Sequence, residues 1–330
     1  MPHHHVFRWD LDKTYLATPF ESLRGLVRTF FEPAEAKITY PGAAPILRAI
    51  ARRPHHHLFI LSGSPRQMAK VLTSKLALDG VEPEGMTLKP SLEILLSGRF
   101  RALREQLGYK LPALLEARIL APHGSAETLV GDDVEIDALI YSIYADLLAG
   151  RVGRDLLDEL LGQAGSPREI RAKAAGDLEM ASAGPGVDRI LIHLAKKTPP
   201  AELAHYGSRL VAVYNYFQLA LLLFRAGRVG PLAVAEAAAE VDAADRGSLP
   251  AWAAEFVARG AVGPSDVERW LDMLPEPSDP VAESIRRAVR AAERIPVAPA
   301  EAPDYATLYR ATREERAADR EKAKPMGDLS

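Results

Sequence analysis

Short apolar runs alternate along this chain with longer stretches in which apolar residues recur every three or four positions. Runs of the first kind suit strands and stretches of the second kind suit helices; their alternation is the pattern of a doubly wound parallel sheet. Strands are expected over residues 6–11, 58–61, 86–89, 127–130, 188–194 and 209–214. Helices are expected over 20–31, where Phe20, Leu23, Leu26 and Val27 share a face, and over 44–50, 67–78, 137–148 and 217–225. Residues 111–116 read as the end of another helix, and 156–164 and 168–175 as helices inserted before the fifth strand.

Beyond residue 231 the chain is Ala-rich and helical to about 293, broken at Pro250, at Pro264 and between Pro275 and Pro280. Its last stretch is Pro/Ala-rich and then densely charged, a composition that predicts a disordered tail with a short helix near 305–316. The expected organisation is therefore a core over 1–228 with a helical insertion near 150–186, a helical C-terminal region over 229–295, and the tail over 296–330.

The chain has 330 residues, 48% hydrophobic and 26% charged, enough apolar material for a sizeable packed core. Net charge is −3, which argues against a partner held by a strongly basic surface, so no nucleic acid is expected. There is no cysteine, which removes disulfides, a thiol nucleophile and thiolate zinc sites. No secretory signal is legible, and a cytoplasmic address is the expectation. The longest apolar stretch, 210–224, is interrupted by Asn215 and Gln218 and is shorter than the roughly 20 residues a spanning helix needs. It reads as a buried strand followed by a buried helix, not as a transmembrane segment.

Candidate chemistry begins where the first strand ends, at Asp10-Leu11-Asp12-Lys13-Thr14. Residues i and i+2 of an extended segment point the same way, so two carboxylates start on one side of the strand end. Such a pair can hold a hard cation such as Mg²⁺, or one can attack phosphorus while the other handles a proton. Ligands of a parallel sheet sit beyond the carboxyl ends of its strands. Ser62 and Ser64 follow the second expected strand, and Asp132, Asp133, Glu135 and Asp137 follow a later one. Lys110 lies on or near the helix leading into that strand, with Lys89 as its rival for the role of catalytic lysine.

These segments resemble the haloacid-dehalogenase-like (HAD) phosphohydrolase superfamily. Its four motifs stand in order: DxDxT at Asp10–Thr14, the strand-end serine Ser62, the lysine Lys110, and GDxxxxD from Gly131 to Asp137. The Ser62-Gly63-Ser64-Pro65-Arg66-Gln67 segment is similar to the SxSPxQ segment of the phosphatidate phosphatase catalytic domain of actin-patch proteins and their bacterial relatives. The resemblance implies an α/β, HAD-like Rossmannoid three-layer parallel sheet, here with a helical C-terminal extension. It implies an aspartyl-phosphate on Asp10, acid/base work by Asp12, and charge stabilisation by Lys110. Ser62, with Ser64, would bind the phosphoryl group. Mg²⁺ would be held by Asp10, Asp12 through its carbonyl, and Asp132, with Asp137 supporting the metal shell or the lysine. Two departures stand out: Lys13 where that group usually carries Asp, and Arg66 where it usually carries Trp.

The implied activity is hydrolysis of a phosphomonoester, with a lipid phosphate such as phosphatidate as one substrate class. Neither gap between the motifs holds an obvious folded cap, which suits a bulky substrate. Phosphoryl transfer to another acceptor is a further option. The rival of a different class is a non-catalytic protein that binds phosphate and Mg²⁺ and recruits a partner through its helical C-terminus. Asp133 and Glu135 read as solvated turn acids. Residues 3–5 and 55–57 are histidine triplets; three consecutive residues cannot all face one ion, so they read as surface or strand-start residues. Trp9, Tyr214, Tyr216 and Phe217 read as core, and Asn215 as a residue that could reach the crevice.

Overall fold

The structure is a computed structural model that describes residues 4–17, 32–89, 106–181, 184–276, 279–296 and 303–322. Six strands form one parallel sheet in the order β3-β2-β1-β4-β5-β6. They are β1 (His5–Trp9), β2 (His56–Pro65), β3 (Gly85–Lys89), β4 (Ala126–Asp132), β5 (Val187–His193) and β6 (Leu210–Val213). The chain winds outward from β1 through β2 and β3, then crosses back to β4 on the other side. Strand order therefore reverses between β1 and β4, and the crevice for a ligand opens at their carboxyl ends.

The helices are α1 (Ala43–Ala51), α2 (Ala69–Leu78), α3 (Gln106–Ile119), α4 (Asp137–Leu148), α5 (Arg154–Gln163) and α6 (Arg168–Ala181). After β6 come α7 (Tyr216–Arg225), α8 (Pro231–Ala244), α9 (Leu249–Ala258), α10 (Pro264–Asp272), α11 (Pro280–Arg290) and α12 (Tyr305–Lys322). Alternating strand residues feed two separate cores, as the two-residue period of a strand requires. Phe7, Trp9, Ile60, Val130, Leu191 and Val213 pack against α1, α2 and α7 on one face. Leu61, Leu129, Ile190 and Ile192 pack against α3, α4, α5 and α6 on the other. The result is a three-layer α/β Rossmannoid architecture with a long helical C-terminal extension.

That extension shares the first core. Val234, Phe256, Trp270 and Ile285, from α8 to α11, belong to the same apolar cluster as Phe7 and Trp9. Prolines stand in the first turn of α8, α9, α10 and α11. A proline there loses no helical hydrogen bond and has its φ already set, so these residues start helices as well as separate them. The short helix expected near 305–316 is α12, which runs on to Lys322 and packs on the second core. Tyr305 and Tyr309 are buried, and the Tyr305 hydroxyl donates to Asp146 Oδ2 at 2.7 Å. Two aromatic residues one helical turn apart give this charged helix an apolar anchor that its bulk composition hides.

One buried ionic cluster fastens the second layer to the sheet. Arg8 Nη2 donates to Glu127 Oε1 at 2.8 Å, Tyr144 to Glu127 Oε2 at 2.8 Å, and Arg118 to Glu127 Oε1 at 3.3 Å. β1, β4, α3 and α4 thereby meet on one carboxylate. Burial alone would raise the Glu127 pKa; the two guanidiniums and the tyrosine hydroxyl outweigh it and hold it below its usual value.

The expected elements return with shifted edges. Helix 137–148 is where it was expected, and the apolar stretch 210–224 is β6 followed by α7. No described helix is long and apolar enough to cross a membrane. β2 runs past its expected end to Pro65, with a register shift between Ser62 and Pro65, so both serines belong to a bulged strand end. The helix expected over 20–31 lies outside the described residues, as do 18–31 of the first inter-motif gap and 90–105 of the second. Of the histidines read as surface or strand-start residues, His5 starts β1 and is buried with Nε2 2.8 Å from Thr128 Oγ1. His4 and His57 pair at 2.7 Å at the amino end of the sheet, away from the strand ends that carry the acids.

Candidate active site

Asp10 follows β1, Ser62 and Ser64 end β2, Asp132 ends β4, and Asp137 opens α4. All reach the crevice at the strand-order reversal. Lys110 arrives from the first turns of α3, fully buried, and spends its ammonium on three carboxylates. It donates to Asp10 Oδ1 at 3.0 Å, Glu135 Oε2 at 3.1 Å and Asp137 Oδ1 at 2.6 Å. Between the two rival lysines, Lys110 is therefore the one in contact with Asp10. Lys89, at the end of β3, stands further along the same crevice.

Thr14 stands between the two innermost acids, 3.1 Å from Asp10 Oδ2 and 3.2 Å from Asp132 Oδ2. A hydroxyl has one proton to donate. It serves one carboxylate at a time and leaves the other facing an oxygen. Asp132 Oδ1 in turn accepts from the backbone N–H groups of Val134 and Glu135, at 2.6 and 2.9 Å, which fixes its rotamer. Gly131 explains its own presence in the acid motif. A Cβ there would lie 2.4 Å from Asp137 Oδ2 and 2.8 Å from the Tyr141 ring, so only glycine lets α4 bring Asp137 so close.

Asp12 is partly exposed and turned toward β2. Its Oδ2 accepts from Ser62 Oγ at 3.1 Å and Ser64 Oγ at 2.6 Å. Burial raises its pKa, and the serine hydrogen bonds pull it part of the way back. Asp10 and Asp132 are held well above the usual carboxylate range, by burial first and then by neighbouring carboxylates, against the pull of Lys110. Burial disfavours the Lys110 charge, yet Asp10, Asp137 and Glu135 outweigh it and push its pKa well up.

The same crowding tests whether a cation fits. One oxygen from each of Asp10, Asp132 and Asp137 lies within 4.8 Å of the other two, and all three residues are buried. Carboxylate oxygens suit a hard divalent ion. With Glu135, four carboxylates face the single Lys110 ammonium, and an added cation would relieve that excess. The Asp12 side chain is not part of the cluster.

Sequence reasoning missed several neighbours. Glu135, read as a solvated turn acid, bonds Lys110 and accepts from Gln106 Nε2 at 2.9 Å. Asp133 turns away and accepts from the backbone of Lys196 and Thr198, at 2.8 and 3.0 Å, tying down the loop after β5. The acidic turn is braced from behind by residues far along the chain. His193 Nδ1 lies 3.3 Å from the Lys13 carbonyl, and Tyr216 donates its hydroxyl to the Thr14 carbonyl. Lys13 itself takes a left-handed backbone, φ 60°, which Asp adopts more readily than Lys. Asn215 does not reach the crevice; it caps α7 by accepting from Gln218 N at 3.0 Å.

Fold and site together define an α/β protein with a buried acid–lysine cluster at the switch point of its sheet. Residues 9–154 match the family model described as phosphatidate phosphatase APP1, catalytic domain. The matched segment runs from the end of β1 past α4 and so contains Asp10, Asp12, Ser62, Ser64, Lys89, Lys110, Asp132, Glu135 and Asp137. No curated protein and no solved structure matches the chain.

Proposed function

We propose that this chain is a Mg²⁺-dependent phosphatase of the HAD-like superfamily that hydrolyses a phosphomonoester through an aspartyl-phosphate on Asp10. The observation that carries this reading is the three-way contact of Lys110 with Asp10, Asp137 and Glu135 beside two strand-end serines. Asp10 attacks phosphorus, and the bond from phosphorus to the ester oxygen breaks as Asp12 gives that oxygen its proton. Water then attacks the same phosphorus, Asp12 takes a proton from it, and the bond to Asp10 breaks to release inorganic phosphate. Lys110 orients Asp10 and offsets charge on the phosphoryl oxygens. Ser62 and Ser64 now hold Asp12; a phosphoryl oxygen would claim their hydroxyls and leave Asp12 to turn toward the ester oxygen. Asp10, Asp132 and the Asp12 carbonyl would hold Mg²⁺, with Asp137 supporting them, and the ion would offset repulsion between carboxylate and phosphate.

A lipid phosphate such as phosphatidate is the first substrate to screen, given the matched family. The experiment is hydrolysis of p-nitrophenyl phosphate with Mg²⁺, with EDTA, and by Asp10→Asn. Loss of turnover in both controls is the expected result. Turnover by Asp10→Asn above about a tenth of wild type, only ~1.4 kcal/mol of barrier, would sink the nucleophile assignment. A folded wild-type protein that binds Mg²⁺ and phosphate without turning over any ester would favour the non-catalytic, partner-recruiting reading.

A further inference from the structure

The amino end of the sheet carries a cluster of the opposite sign to the acids. His5 and His56 open β1 and β2 and pair in register, so their side chains leave the same side of the sheet; the ring centroids are 6.2 Å apart. Two loops meet over them. Arg53 follows α1 and Arg228 follows α7, and Arg53 Nη1 donates to the carbonyl of Gly227 at 2.6 Å. Arg228 acts electrostatically on both histidines, and Arg53 acts on His56 and on Arg228. Three buried nitrogens in this cluster have no hydrogen-bond partner among the described residues: His5 Nδ1, His56 Nδ1 and Arg228 Nε. His5 is only 1% exposed, so open solvent does not serve its Nδ1. Asp188 pairs with Arg228 Nη2 at 3.8 Å, too far for a hydrogen bond. Glu127 also acts on His5, but its oxygens receive Arg8, Arg118 and Tyr144.

We propose that Arg228, Arg53 and His56, with His5 beside them, form a binding site for a tetrahedral oxyanion, a phosphate or sulfate group, at the end of the sheet opposite the acids. The site stands whether or not the phosphatase reading does. A guanidinium Nε has only a proton to offer, so what is missing beside Arg228 is an acceptor. Each imidazole can also present an N–H at Nδ1, His5 when Thr128 donates to its Nε2. The carbonyls at the ends of α1 and α7 do not supply that acceptor, because those of Ile50, Leu223 and Phe224 already accept from the backbone of Arg53, Arg228 and Gly227. An oxyanion brings several acceptor oxygens at once, and its charge offsets the repulsion of two guanidiniums against a single distant carboxylate. The planar fork of arginine matches the edge of a phosphate or sulfate. The same positive charges exclude a metal cation, and chloride offers no edge to the fork. A bound oxyanion would pin the loops after α1 and α7 to the starts of β1 and β2.

The test titrates the full chain in metal-free buffer at constant ionic strength with inorganic phosphate, sulfate or glycerol 3-phosphate, with chloride as the control. Thermal unfolding reads protection, and ¹⁵N shifts of the histidine rings read its place. Phosphate should raise the melting temperature saturably beyond chloride and move the ring nitrogens of His5 and His56. Arg228→Gln should weaken the phosphate affinity by about tenfold or more, Arg228→Lys should recover part of it, and Ser62→Ala, in the crevice, should leave it unchanged. Should Arg228→Gln fail to fold, Arg53→Gln, at an exposed position, decides by the same loss. Protection by phosphate and sulfate alone would assign the site to a free ion; equal protection by glycerol 3-phosphate would assign it to a phosphomonoester head, and either result sustains it. Phosphate protecting no better than chloride, with the two histidines unmoved, would overturn the site and leave buried water on the three nitrogens. Protection lost in Ser62→Ala but kept in both arginine variants would overturn it as well, by putting the anion in the crevice.

Discussion

Tyr216 donates its hydroxyl to the carbonyl of Thr14, and Thr14 stands with its own hydroxyl between Asp10 and Asp132. A residue of α7 thereby holds the back of the turn that orders the acids. Tyr216→Phe keeps the ring stacked on Trp9 and removes only the donor. Leaving a buried carbonyl unpaired costs about 1–3 kcal/mol. The expected outcome is a chemical-denaturation midpoint lowered accordingly, with more Mg²⁺ needed for half-maximal activity than in wild type; an unchanged Mg²⁺ titration would show that the turn holds itself.

Lys110→Met removes the one cation shared by Asp10, Glu135 and Asp137. Activity should fall by about 10²–10³, the usual loss for one preorganised charge-stabilising donor. Stability should fall too, by about 3–5 kcal/mol, unless the stranded carboxylates take up protons. Lys110→Arg should rescue neither, because a planar fork cannot reproduce three divergent hydrogen bonds. Rates on p-nitrophenyl phosphate and urea midpoints for both variants check this.

Gly131→Ala places a methyl 2.4 Å from Asp137 Oδ2, closer than any relaxed contact. Either α4 or the end of β4 must move, at a cost of about 1–3 kcal/mol. Because Asp137 is also a partner of Lys110, the activity loss should exceed what the stability loss explains. Melting temperature and turnover measured on the same preparation separate the two effects.

Acid should weaken the far end of the sheet. Burial, and then Arg228 and His56, hold His5 down to about 3, against a small opposing pull from Glu127; burial with nearby arginines and histidines holds His56 to about 4. The unfolded chain takes up these protons near pH 6.5 and the folded chain does not. The stability that neutral His5 contributes is therefore complete above pH 6.5 and is lost as pH falls toward 3. Between pH 7.5 and pH 5 the loss from His5 alone is about 2 kcal/mol. Urea midpoints across that range should fall for wild type and fall less for His5→Asn.

Local pattern made much of this molecule legible. Strand ends followed by Asp, Ser and Gly-Asp placed the acids and serines at one edge, and α4 begins at the aspartate that the motif spacing marked. What stayed hidden depends on distance along the chain. Glu135 looks like any turn acid until α3 brings Lys110 and Gln106 to it. Tyr216 reads as core and His193 as part of a strand because nothing local says that their polar atoms meet the backbone of residues 13 and 14. His5 reads as a surface or strand-start residue, and nothing local says that its ring meets Thr128 across β1 and β4. The short helix near 305–316 was legible, but not that Tyr305 and Tyr309 dock it on the second core.

The shared core behind Trp9 also sets where this chain can be cut. The segment that matches the phosphatase family stops at residue 154, before β5, β6 and all of α7 to α11. A protein ended there would leave β4 as a bare edge from Glu127 to Asp132, with backbone groups unpaired and the apolar side of Trp9 and Val130 uncovered. Such an edge recruits strands from other molecules. The shortened chain would be a template for aggregation, and the acids gathered at its strand ends would have no rigid floor on which to work.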